Sequence, residues 1–125
     1  MELLKEKNWG SNPHHLNWRM FIDDIRFPVI PEWMIARSPI EALDMLGRYG
    51  WPSHISFDFD LGFAFNGKEI NVLPVIRDLR AFLESSQEYI PAHFAFSVHS
   101  SNPEGAKAIK TEMNNLLKLY QKDAS

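Results

Sequence analysis

The chain has 125 residues, 45% hydrophobic and 23% charged, which suits one domain with a single core and argues against disorder or a fibrous repeat. A formal net charge of -3 offers no broad electrostatic footprint for a phosphate backbone, so duplex nucleic acid is not an expected partner. The absence of cysteine excludes disulfides, thiolate metal sites and a cysteine nucleophile, and fits a reducing compartment.

Residues 1–17 show no periodicity and contain Asn8, Gly10, Asn12 and Pro13, so they read as an irregular arm, with Trp9 able to dock on the core; residues 18–125 read as the domain. Met1 to Lys7 lacks the hydrophobic stretch of a secretion signal, and no later run approaches the ~20 apolar residues of a membrane span. A cytoplasmic protein with no membrane partner is expected.

Arg19-Met20-Phe21-Ile22 is a short apolar run stopped by Asp23-Asp24, the pattern of a buried strand. After Pro28 and Pro31, Trp33-Met34-Ile35-Ala36 reads as a second strand. Ser38-Pro39-Ile40-Glu41 combines a capping serine, a proline at the first helical position and a capping-box glutamate. The helix it starts is expected to bury Ile40, Leu43 and Leu46 and to stop near Gly47 or Gly50.

His54 to Asp58 is a third strand, followed by a loop from Gly62 to Gly67. A longer helix then runs to about Ser85 with Leu73, Ile76, Leu79 and Leu83 on its core face, Pro74 fitting only in the first turn. His93 to Val98 is a fourth strand, and Asn102-Pro103-Glu104 caps a last helix whose Ala106, Ile109, Met113, Leu116, Leu117 and Tyr120 recur at helical spacing. Strands alternating with helices imply a mostly parallel sheet of about four strands. The first two strands are too close in sequence for an ordinary crossover, so either a tight loop joins them or the second is antiparallel or irregular.

In open α/β sheets ligands bind beyond the carboxyl ends of the strands. Here those ends carry Asp23-Asp24, Asp58-x-Asp60 and Ser97-x-His99-Ser100. Carboxylates from adjacent strands can converge on one ion, and Asp23, Asp24, Asp58 and Asp60 form a hard-oxygen set suited to Mg²⁺, with Mn²⁺ or Ca²⁺ as alternatives. His99, at the strand end beside these acids, is a candidate general acid or base. Ser100, Ser101 and Asn102 lead into a helix N-terminus whose donors suit a phosphate. Arg26 either clamps a phosphate or neutralises Asp24. Phe63 and Phe65 either fill the core or wall a ligand pocket.

Three ordered motifs, Phe21-Ile22-Asp23-Asp24-Ile25-Arg26-Phe27-Pro28, Asp58-Phe59-Asp60-Leu61-Gly62 and Val98-His99-Ser100-Ser101-Asn102-Pro103-Glu104-Gly105, together resemble the cyclic-phosphate processing receiver domain family, relatives of two-component receivers, from about Arg19 to Leu119. The resemblance implies a shortened receiver-like, flavodoxin-like three-layer sandwich. It also implies a metal-dependent hydrolase or processing activity on cyclic phosphates of nucleotides or RNA ends, with a small phosphorylated ligand as partner. It carries Asp23, Asp24, Asp58, Asp60, His99 and Ser100 into the site, with Asp58, His99 and Ser100 as the catalytic candidates and Arg26 beside them. The family often has histidine where this chain has Phe59. A receiver-like signalling or phosphate-binding module without turnover is the alternative.

Overall fold

The computed structural model describes residues 18–28 and 32–121; the expected arm over residues 1–17, with Trp9, lies outside them. Four strands, β1 (Arg19–Ile22), β2 (Trp33–Ala36), β3 (His54–Phe57) and β6 (Ala95–Val98), form one sheet in the order β2-β1-β3-β6. All three pairings are parallel. This settles the relation of β1 to β2 that the sequence left open. Their connection has no helix among its described residues, 23–28 and 32.

Helix α1 (Pro39–Tyr49) begins as its capping box requires: the Ser38 hydroxyl accepts from the Glu41 N–H. Its buried face is Ala42, Leu46 and Tyr49, while Ile40 and Leu43 are exposed. Leu46 is buried as expected, but the face is rotated away from Ile40 and Leu43 towards Ala42 and Tyr49. Both sets keep helical spacing, and only the placement of the helix over the sheet selects between them. Helix α2 (Leu73–Ser86) accommodates Pro74 in its first turn and buries Val75, Ile76, Leu79 and Leu83. Helix α3 (Pro103–Tyr120), capped by Asn102, buries Gly105, Ile109, Met113 and Leu116.

The loop expected from Gly62 to Gly67 is, from Ala64 on, the turn of a hairpin whose strands β4 (Asp60–Phe63) and β5 (Glu69–Asn71) were not expected. Asn66-Gly67 lies in its turn, with Gly67 at φ 84, a left-handed conformation that glycine adopts without strain. Strand β6 starts two residues later than expected, because Phe94 donates its N–H to the Pro91 carbonyl in a turn.

Met20, Ile22, Ala36, Ile55 and Phe57 share one core with buried residues of all three helices. These strand residues alternate with Phe21, Ile35, Ser56 and other residues outside that core, so the helices cover one face of the sheet. The parallel receiver-like sheet is as expected. The third layer of the expected sandwich has no counterpart among the described residues: the described part of the β1–β2 connection, residues 23–28 and 32, forms no helix. No described helix is long and apolar enough to cross a membrane.

Candidate functional site

The site is built by the parallel register. Each strand end is followed by a residue whose N–H continues the ladder: Asp23 donates to the Ala36 carbonyl (3.1 Å), Asp58 to Ile22 (2.9 Å) and His99 to Phe57 (2.9 Å). Asp23, Asp58 and His99 are thereby aligned along one sheet edge at the strand spacing. Asp23, Asp24 and Asp58 each bring a carboxylate oxygen within 4.8 Å of the others, the first and last being buried. Oxygen donors at this spacing fit the coordination sphere of a small divalent cation. Asp60 stands apart from the three: it is exposed, and its Oδ2 accepts from the Asn102 side chain at 3.2 Å.

Asp23 is fully enclosed. Its Oδ1 accepts from the backbone N–H groups of Ile25 (2.9 Å) and Arg26 (2.8 Å), and its Oδ2 from His99 Nε2 (3.0 Å). Burial by itself would raise its pKa, but these donors together outweigh it and hold the carboxyl below its ordinary range. Asp58 moves the opposite way. Burial and the charge of Asp23 push it up, opposed by a Ser100 hydrogen bond, the Arg26 guanidinium and the nearby His99 ring. Adjacent carboxyls on adjacent strands thus have pKa values driven apart, an arrangement in which one stays ionised while the other more readily holds a proton.

His99 is clamped between Asp23 and the opposite face of the sheet. Its Nδ1 lies 2.7 Å from the Ser56 hydroxyl, and its ring stacks on Phe21 with centroids 4.3 Å apart and planes 7° off parallel. Ser97 donates to Ser56 (3.2 Å) and lies 3.0 Å from His54 Nε2. With the Ser97 proton directed to Ser56, the Ser56 proton is free for His99 Nδ1, leaving Nε2–H to donate to Asp23. His54, edge-on to Trp33, has its pKa lowered by burial and by Arg19.

A cavity of about 260 Å³ lies at this edge, lined by Asp24, Ile25, Arg26, Asp58, Asp60, Gly62 and Ser101. Neither His99 nor the enclosed Asp23 is among the lining residues; both lie behind the cavity, joined by the Nε2–Oδ2 hydrogen bond. Arg26 Nη1 donates to the His99 carbonyl (2.8 Å) while its Nε lies 3.8 Å from Asp23 Oδ2, so its closest acid is Asp23 rather than Asp24. The Ser100 hydroxyl accepts from the Asn102 N–H (3.1 Å), and Ser101 accepts a long bond from Arg26 (3.5 Å). Asn102 is occupied at both ends of its amide, Oδ1 capping α3 at the Gly105 N–H and Nδ2 serving Asp60. A larger groove of about 360 Å³ between α2 and α3 has Glu112 as its one acidic lining residue and is separate from this chemistry.

Sequence reading missed Ser56 and Arg37. Arg37, directly after β2, donates to the carbonyls of Asp23 (3.2 Å) and Arg26 (2.6 Å), with its guanidinium 4.5 Å over the Phe27 ring. It stitches the acid-bearing loop to the neighbouring strand end. The only trace in sequence was position: an arginine one residue past a strand. Gly62, at φ 85, is also demanded by the site, because a Cβ there would stand 3.2 Å from Asp24 Oδ2.

Comparison with curated proteins and with solved structures gave no significant match. The model of the cyclic-phosphate processing receiver domain matches residues 18–115, from the residue before β1 to within α3. It spans the acids, His99 and the loop into α3, and the chain belongs to the cyclic-phosphate processing receiver domain family.

Proposed function

We propose that the domain holds a divalent cation through Asp23, Asp24 and Asp58 and opens cyclic phosphate esters in the adjoining cavity. The observation that carries this reading is the convergence of three carboxylate oxygens within 4.8 Å beside an arginine-lined cavity. A bound cation would supply charge neutralisation to a phosphate oxygen. Arg26, which lines the cavity, offers donors to the remaining phosphate oxygens. Asp58, with its raised pKa and its Ser100 hydrogen bond, is the group placed to take a proton from an attacking water. His99 is a positioning residue: Nε2–H fixes Asp23, adding to the Arg26 and Ile25 backbone N–H groups that hold its pKa down.

A second reading is a receiver-like module that binds phosphate without turnover. It is favoured by Phe59, which lies between Asp58 and Asp60 and packs so closely on α3 that a Cβ at Gly105 would collide with its ring. That side chain contributes packing where many family members carry a histidine.

The test is a pair of measurements on the wild type and Asp58→Asn. Thermal melts with Mg²⁺, Mn²⁺ or Ca²⁺ should show cation stabilisation of about 2–3 kcal/mol near a hundredfold excess over Kd, lost in Asp58→Asn. Incubation with cyclic mononucleotides, 2′,3′-cyclic phosphates and cyclic dinucleotides reads turnover. Cation binding without turnover selects the binding module. Turnover with no cation response moves the chemistry to Arg26 and His99.

A further inference from the structure

Helix α1 turns outward a stripe that the core does not use. Ile40 is 80% exposed and Leu43 46% exposed, and the exposed Asp44 and Gly47 complete the same face at the spacing i, i+3, i+4 and i+7. The fold gives no reason for Gly47. It lies inside the helix, where glycine is costly, and a Cβ there would meet nothing within 4 Å. On an exposed helix face a missing side chain lets another helix approach closely. The stripe is also acidic at its start. Asp44 holds Arg48 at 2.9 Å, while Glu41, whose Oε1 accepts from the Arg37 N–H, belongs to no ion pair among the described residues.

The groove between α2 and α3 has the opposite make-up. Two turns of α2 supply Leu73, Ile76, Arg77 and Arg80, and a face of the same spacing on α3 runs from Glu112 to Leu119, which is 59% exposed. Each wall has the length of the α1 stripe, about 10 Å at the helical rise. Arg80 lies 3.4 Å from Glu84, whereas no described acid pairs with Arg77. The groove thus combines leucines and a surplus of positive charge with one carboxylate, Glu112; the stripe combines two aliphatic anchors and a surplus of negative charge with one cation, Arg48. A trough between two helices accepts the ridge of a third, and the charges on its rim set which ridge fits. Phe63 and Phe65, also exposed, lie in the β4–β5 hairpin and offer no helical ridge.

We propose that α1 of one copy of this chain seats in the α2–α3 groove of another. Ile40 and Leu43 meet Leu73 and Leu119, Gly47 permits the close approach, and Glu41 and Asp44 face Arg77 and Arg80. A molecule cannot fill its own groove, because Ala42, Leu46 and Tyr49 anchor α1 in the core and α2 packs between α1 and α3. The two surfaces differ, so the contact is head to tail and continues from copy to copy until a ring closes or a filament grows. One helix in one groove is a small interface, which makes the association weak and concentration-dependent. Neither surface includes a residue of the acidic edge, so self-association and cation binding are separable.

The experiment is sedimentation velocity on the full chain at low salt, from dilute to millimolar protein, for the wild type and three variants: Ile40→Ser/Leu43→Ser, Gly47→Lys and Arg77→Glu. The wild type's sedimentation coefficient should rise with concentration, and each variant should lower the association constant by roughly tenfold or more. Gly47→Lys fills open space on a helix and leaves the core untouched, so it tests the stripe even where the double substitution harms folding; melting curves check every variant. The decisive arm mixes Gly47→Lys with Arg77→Glu. The first keeps its groove and the second its stripe, so the mixture should form one-to-one dimers and nothing larger.

A wild type that stays monomeric throughout overturns the proposal, as does association that survives Gly47→Lys or Arg77→Glu. A mixture of those two variants that stays monomeric also overturns it, since the contact would then join like surfaces, and so does a mixture that grows past dimers.

Discussion

Phe57 and Ser56 are neighbours in β3 and point to opposite faces of one sheet. On the helix-covered face Phe57 joins Met20, Ile22 and Ile55, all with no exposure. On the other face Ser56 enters a chain of polar side chains, His54, Ser97, Ser56, His99 and Asp23, that ends at the acidic edge. The contrast teaches how a small domain divides its labour: one face supplies the burial that stabilises the fold, the other holds the hydrogen bonds that orient the site. A strand's two-residue period keeps the two roles apart.

The largest effect should come from the covered face. Phe57→Ala removes a ring enclosed by the core and should cost about 3–5 kcal/mol in denaturant unfolding, enough to threaten folding. A loss under about 1 kcal/mol would break the contrast, since it would mean that the helices do not close on that ring.

Ser56→Ala tests the other face. It leaves His99 Nδ1 without its partner inside a half-buried site and should cost about 1–3 kcal/mol. Because His99 Nε2–H holds Asp23, the variant should also weaken cation binding, which a purely structural serine would not do. An unchanged cation affinity would detach His99 from the acids. Ser97→Ala, one step further out and exposed, should change stability by less than about 0.5 kcal/mol.

The smallest expected effect is in pH dependence. Asp23 has its folded pKa lowered, so its contribution is present above the unfolded value and is lost as pH falls through the folded one. Asp58 has its folded pKa raised, so its contribution is present below the unfolded value and is lost as pH rises through the folded one. In the wild type these trends oppose each other. Metal-free Asp58→Asn retains only the Asp23 trend, so its melting temperature should fall more steeply on acidification, while at neutral pH it equals or exceeds that of the wild type. Parallel curves for the two proteins would show that Asp58 is not destabilised by its neighbour.

Much of this architecture was legible in the residues. The strand ends at Asp23, Asp58 and His99, the caps at Ser38 and Asn102, and the buried faces of the two longer helices follow from local rules: apolar runs stopped by acids, capping side chains and helical spacing. The parallel alignment of strand ends then predicted that the acids meet, and Asp23, Asp24 and Asp58 do.

What the tertiary structure alone decided are matters of relative placement. Ile40 and Leu43 keep helical spacing as well as Ala42, Leu46 and Tyr49 do, and only packing on the sheet chose the second set. Ser56 and Arg37 carry no motif. Their importance arises because a parallel register brings Ser56 beside His99, more than forty positions away, and sets Arg37 next to the carbonyls of the loop after β1. Asn66-Gly67 allowed a hairpin, but only the pairing of Asp60–Phe63 with Glu69–Asn71 formed it and left Phe63 and Phe65 exposed. Local sequence determines where each strand ends and which residues stand there; contacts between segments far apart in the chain determine what those residues face, because no local rule records the neighbour across a sheet.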